Sequence, residues 1–320
     1  MKKKIIIVSG DPNSINSELI FKMWNKVNNN IKKKIYLISN FNLIKKQFKI
    51  LNYSIKLIKV EDINENIKTN RLKILNVDLN FKDPFKVESD LASKFVIKSL
   101  NYAHKLGDDK GVIGIINCAI NKKLLIKSRI GVTEYLASKC KVKNNSEAML
   151  IRNSKLLVCP ITTHIDVKQI SKKINKNLIV NKTKTVEFWL KQQLKRKPKI
   201  GILGLNPHNA ELRKNSEEKK IIIPAILKLK KLGMYVTGPL VADTTFIKNY
   251  KNYDVIIGMF HDQVIVPFKS LYKFDAINIT LGLKYLRLSP DHGTAIDLIK
   301  KKIASASSLI RCVEFLSKYK

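Results

Sequence analysis

Short runs of β-branched and aliphatic residues alternate along this chain with longer stretches in which apolar positions recur every three or four residues. The first kind of run predicts buried strands and the second amphipathic helices. Strands are predicted at Lys4–Ser9, Lys34–Ser39, Ile55–Val60, Gly111–Asn117, Leu156–Pro160, Lys199–Leu205, Met234–Thr237, Asp254–Met259 and Ala276–Thr280. Helices are predicted near Ile15–Asn28, Thr133–Lys141, Val167–Ile174, Thr185–Leu194 and Ser216–Leu232, with a short one near Asp243 and closing helices from about Thr294. Asp83-Pro84 reads as a capped helix start running to Leu106, with Gly107 as its left-handed stop. Strands alternating with helices of this length imply βαβ units and an α/β fold with mostly parallel sheets. The 320 residues suggest two domains, or one large one.

Composition narrows the classes. At 45% hydrophobic residues the chain can build a large core, which excludes general disorder. No apolar run approaches the ~20 residues needed to span a bilayer, and the short run after Met1-Lys-Lys-Lys is ended at once by Gly10-Asp11-Pro12, so a cytoplasmic protein is expected. Cys118, Cys140, Cys159 and Cys312 are widely spaced and read as free, buried thiols. The net charge of +36 raises the possibility of a polyanion-binding protein. Only seven of the 61 basic residues are Arg, however, and Lys is spread through the whole chain among Ile and Asn. That pattern is a compositional drift rather than a recognition surface, and no specific nucleic-acid partner is expected.

Ligands of α/β sheets bind beyond the carboxyl ends of the strands. Three of the five histidines, His164, His208 and His261, follow predicted strands there. Three imidazoles at three strand ends could converge on one divalent ion and leave positions open for substrate. Lys269, Asn278 and Arg287 would together suit a phosphate or carboxylate, and the apolar flanks of Arg287 suggest partial burial beside an anion. Asp243 is either a helix cap or a site carboxylate; Asp262 follows His261 directly. Asp291 or Thr294 could cap the final helices, and His104 reads as structural. No G-x-G-x-x-G fingerprint follows the first strand, where Gly10-Asp-Pro-Asn-Ser-Ile-Asn16 stands instead.

Taken in order, Gly10-Asp-Pro12, Thr133-Glu-Tyr-Leu-Ala137, Thr162-Thr-His164, Gly204-Leu-Asn-Pro-His208, Gly238-Pro-Leu240 with Ala242-Asp-Thr244, His261-Asp-Gln263, Asn278-Ile-Thr-Leu-Gly282 and Asp291-His-Gly-Thr-Ala295 resemble the 4-hydroxythreonine-4-phosphate dehydrogenase family of pyridoxal phosphate biosynthesis. The resemblance implies two α/β domains around a cleft, similar to the isocitrate and isopropylmalate dehydrogenases. The boundaries expected are 1–130 with about 295–320 for the first domain and 131–294 for the second. It further implies a homodimer with a shared active site. His164, His208 and His261 would bind a divalent metal (Zn, Mg or Co), one histidine coming across the dimer interface. Thr133, Lys269, Asn278 and Arg287 match its substrate-binding positions, and Asp243 and Asp262 are candidates for proton transfer or for orienting the histidines. NAD or NADP would bind without the Rossmann fingerprint. The implied reaction oxidises 4-phosphohydroxy-L-threonine to 2-amino-3-oxo-4-phosphooxybutanoate, which decarboxylates to 3-amino-2-oxopropyl phosphate. Two positions depart from the family: Val132 stands where a substrate-holding His is usual, and Ser14-Ile-Asn16 replaces Gly-Ile-Gly. Val132 keeps open a related dehydrogenase of 4-phosphothreonate or 4-phosphoerythronate.

Overall fold

A computed structural model describes residues 3–65, 67, 69–128, 131–143, 145–247, 249–273 and 275–319, without the side chains of 126–128. The chain divides into two compact units, residues 1–140 with 283–320, and residues 141–282. In the first, β1 (Lys4–Val8), β2 (Ile35–Ser39), β3 (Leu57–Val60), β4 (Leu72–Asn76) and β5 (Val112–Asn117) come in chain order. The second holds β6 (Ala148–Arg152), β7 (Leu157–Thr162), β8 (Lys199–Leu203), β9 (Tyr235–Leu240), β10 (Val255–Phe260) and β11 (Ile277–Leu281). The chain then returns to the first unit with β12 (Leu286–Pro290).

In the first unit the strands run in the order β3-β4-β2-β1-β5-β12, every pair parallel. Parallel strands buried on both faces need unbroken apolar sequence, and Ile5, Ile6, Ile7 and Val8 are fully buried. In the second unit the order is β11-β6-β7-β10-β8-β9. Here β7, β10, β8 and β9 are parallel, while β6 is antiparallel to both β11 and β7. The α/β class with mostly parallel strands is thus the one the sequence pattern predicts.

The crossings between units fall at 140 and 283 rather than 130 and 295. The physical reason lies in two elements. Helix Val132–Lys139 packs on helix Ser89–Gly107, and β12 pairs with β5, so both belong to the first unit. The long helix begins at Ser89, not Asp83. Asp83 instead closes a tight turn, its carboxylate accepting the Phe85 N–H at 2.7 Å. Gly107 is still helical; a Cβ there would lie 2.5 Å from the Tyr285 ring, so close packing rather than a left-handed turn requires glycine. The final helix starts only at Ser307, and neither Asp291 nor Thr294 caps it. The Asp291 N–H donates to Ser308 Oγ at 2.9 Å. All four cysteines are free and buried, as read from their spacing.

Candidate active site

Two of the three rim histidines meet. Strands β7 and β10 are parallel neighbours with Thr162 opposite Phe260. His164 and His261 leave those strand ends side by side, their ring centroids 5.6 Å apart. His261 opens the helix His261–Tyr272, and its Nδ1 lies 2.6 Å from Asp262 Oδ1. A carboxylate on Nδ1 fixes the tautomer that turns the Nε2 lone pair outward, the arrangement that primes a metal-ligating imidazole. A pocket of about 210 Å³, lined by Thr162, His164, Phe260, His261 and Asp262 among others, opens at the pair.

His208 follows β8, the strand on the other side of β10. It sits in a turn whose residues His208–Leu212 all have positive φ, between 48° and 57°. Each such residue strains a side chain with a Cβ, and the loop around it is correspondingly tied down. Fully buried Glu218 accepts the N–H groups of Leu205 and Asn206, each at 2.8 Å, and the Asn206 amide as well. Burial would push the Glu218 carboxyl up, but these hydrogen bonds outweigh it and hold it below its usual range. Asn209 Nδ2 donates to the Pro239 carbonyl. Its Oδ1 occupies the place a Cβ on Gly204 would need, so Gly204 must be glycine. Gln263 ties the ends of two strands, accepting the Met259 N–H and donating to the Gly204 carbonyl, both at 2.7 Å.

His208 Nε2 lies 3.8 Å from Asp243 Oδ2, both side chains exposed. Asp243 lies within the short helix Ala242–Thr245, where Val241 is the cap, so the cap reading of Asp243 does not hold. Among the described residues, no three His, Cys, Asp or Glu side chains of one chain converge as a metal cage. The donor chemistry nevertheless fits a divalent metal: two imidazoles side by side, one braced by a carboxylate, with a third imidazole after the adjoining strand.

Arg287 is the centre of a second cluster, in the first unit. It lies on β12, 4% exposed, with Nε donating to Asn117 Oδ1 at 2.6 Å and Nη1 to Thr133 Oγ1 at 3.2 Å. Burial lowers its guanidinium to about 10, with the Glu134 charge opposing the fall, so it stays cationic at neutral pH. Thr133 and Glu134 form the first turn of helix Val132–Lys139, where the helix dipole favours an anion. Lys269 lies on the helix that His261 opens, and Asn278 on β11. The Asn278 Oδ1 is buried with no hydrogen-bond partner, an orphaned acceptor of the kind a ligand satisfies.

Three contributors carry roles that the sequence does not assign: Asn117, Glu218 and Gln263. Asn117 ends a predicted strand, and Gln263 stands in the His261-Asp-Gln263 motif, signals that were available; Glu218 acts through backbone groups that no motif marks. The first βα turn closes on itself. Ser14 Oγ donates to the Asp11 carbonyl, Asn16 Nδ2 to the Ala119 carbonyl, and Asp11 Oδ atoms accept from the Asn13 and Asn121 N–H groups. Burial raises the Asp11 carboxyl above its usual range. A loop carrying a buried carboxylate does not fit a dinucleotide pyrophosphate.

The chain has extensive relatives. The family model described as pyridoxal phosphate biosynthetic protein PdxA matches residues 30–316. A 4-hydroxythreonine-4-phosphate dehydrogenase of Sulfurihydrogenibium sp. (strain YO3AOP1) is 36% identical over 317 residues, 97% of this chain and 96% of that protein. A protein of Oceanobacillus iheyensis with the provisional name D-threonate 4-phosphate dehydrogenase is 34% identical over 249 residues, 76% of this chain and 73% of its own. Among solved structures, a 4-hydroxythreonine-4-phosphate dehydrogenase from Klebsiella pneumoniae superposes with a TM-score of 0.87 at 26% identity, covering 99% of this chain and 100% of that one.

Proposed function

We propose, from the premise that the chain belongs to the PdxA family of pyridoxal phosphate biosynthetic proteins, that it is a 4-hydroxythreonine-4-phosphate dehydrogenase. Among the described residues no helix is long and apolar enough to cross a membrane. The observation that carries the detailed reading is the His164–His261 pair at two neighbouring strand ends, with Asp262 behind it.

In this reading His164, His208 and His261 hold one divalent ion, and a second copy of the chain completes the set. When bound, the ion would polarise the oxygen of the hydroxyl being oxidised, as a Lewis acid. NAD or NADP takes the hydride, at a place other than the first βα turn. The chain's own residues do the rest. Arg287, held by Asn117 and backed by the turn that carries Thr133, is the first unit's cation suited to a phosphate. In the second unit Lys269 is a further cation, and the orphaned oxygen of Asn278 would accept from a substrate donor. Holding an anionic group of the substrate restricts the geometry for transfer. Asp262 positions His261, and Asp243, exposed beside His208, is the carboxylate placed to take up the hydroxyl proton.

A second reading rests on Val132. It opens the helix that carries Thr133 and has no hydrogen-bond donor in its side chain, which keeps open a related substrate such as D-threonate 4-phosphate, with a hydroxyl in place of the amine. The test is nicotinamide reduction by purified protein with each compound. Higher kcat/KM for 4-hydroxythreonine 4-phosphate supports the first reading; turnover of the threonate alone overturns it.

A further inference from the structure

The second unit contains a further cavity, of about 740 Å³, that shares Thr162 and Ile165 with the histidine pocket. That volume suits a metabolite rather than a bare ion. Its lining is cationic: Lys172, Lys173 and Lys182 against the single carboxylate of Glu147. The floor is the start of the 19-residue helix Lys176–Leu194, whose first-turn N–H groups carry the positive end of the dipole. Asn175 caps it by accepting the Leu178 N–H at 2.9 Å, and Asn177 and Asn181 present amides from the next turns.

The independent observation is Lys182. Its side chain lines the cavity, the residue is 8% exposed, and it makes no hydrogen bond or ion pair with any described residue. Its stem is covered while the ammonium opens on the cavity, where an anion would meet it. The thiol of Cys159, which feels the Lys182 charge, is pushed up to about 12 by burial and stays neutral, so it supplies no counter-charge. Glu147 forms no ion pair with it. Among the described residues nothing pairs with Lys182, so a negative group from outside the chain would fit beside it.

We propose that this cavity binds a small organic oxyanion, a phosphate ester or a polycarboxylate, with Lys182 at its base and Lys172 and Lys173 at its rim. The site stands whether or not the dehydrogenase reading does. Calorimetric titration with inorganic phosphate and, separately, with citrate tests it and tells the two sources apart, the tighter probe naming the class. Lys182→Met, which keeps the length of the stem, should weaken the binding of the tighter probe about tenfold or more, the scale of a hydrogen bond to a charged group. The double variant Lys172→Glu with Lys173→Glu alters only exposed positions and should weaken it similarly, which keeps the test open if Lys182→Met does not fold. Binding of neither probe by the wild-type protein overturns the proposal, as do isotherms unchanged in the variants.

Discussion

The two units hold their candidate clusters in opposite ways. Around Arg287 the side chain is buried and held: the guanidinium meets Asn117 and Thr133 inside the all-parallel unit. Around the histidines little is closed. His164 and His208 are exposed, and His261 is braced by one carboxylate but joined by no third ligand among the described residues. A cation that must select and orient an anion gains from being rigid before the ligand arrives. Metal ligands must instead leave room, because an ion that is to touch substrate keeps open positions. The contrast separates a preformed anion-binding cluster from an open histidine cluster, which in the proposed reading a second copy of the chain would complete.

The comparison breaks most sharply at Arg287. Arg287→Lys keeps the charge but loses the fork that holds Asn117 and Thr133, and removing one member of such a buried, charged network costs on the order of 2–5 kcal/mol. The expected result is a fall in kcat/KM of about 30-fold or more, carried mainly by KM; wild-type kinetics would show that the cluster is structural only. Asp262→Asn probes the other end. Losing a carboxylate behind a metal-ligating His typically costs about 10–100-fold in metal affinity, so metal titration of the variant should show that loss while thermal stability is unchanged.

Smaller effects sharpen the packing side. Gly107→Ala places a methyl group against the Tyr285 ring, whose hydroxyl lies 2.9 Å from His104 Nδ1. Overpacking of this kind costs about 1–3 kcal/mol, which thermal unfolding will read as a lowered Tm with the metal affinity untouched. His292 should give the smallest signal. Its Nε2 is buried without a partner, and burial lowers its pKa below the usual 6.5. Below that pH the unfolded chain takes up a proton that the folded chain resists, so stability falls with acidification. Replacing it by Gln should flatten the loss measured between pH 6.5 and about 5.

Much of this was legible in the sequence, and the exceptions have physical causes. Ile-rich runs such as β1 announce themselves because both faces are buried. β4 was missed because Lys73 interrupts its apolar run, yet that lysine is buried. Its Nζ donates to the Lys33 carbonyl at 2.6 Å and lies over the Tyr36 ring, and burial lowers it to about 8. β6 and β12 each carry an arginine among their apolar residues, Arg152 and Arg287, and were missed for the same reason. The rim histidines were legible because strand ends collect ligands. What could not be read was the support beneath them. Glu218 and Gln263 fasten backbone groups across a dozen or more residues, or across strands, and only the folded chain brings these together.

The central claim is that the three rim histidines share one divalent ion, completed by a second copy of the chain. Metal content of the purified protein, measured together with its oligomeric state, tests it most directly. One ion per chain in a dimer, lost in His164→Ala, in His208→Ala and in His261→Ala alike, is the predicted result. A stoichiometric ion retained after His208→Ala, or bound equally well by a monomer, would contradict it.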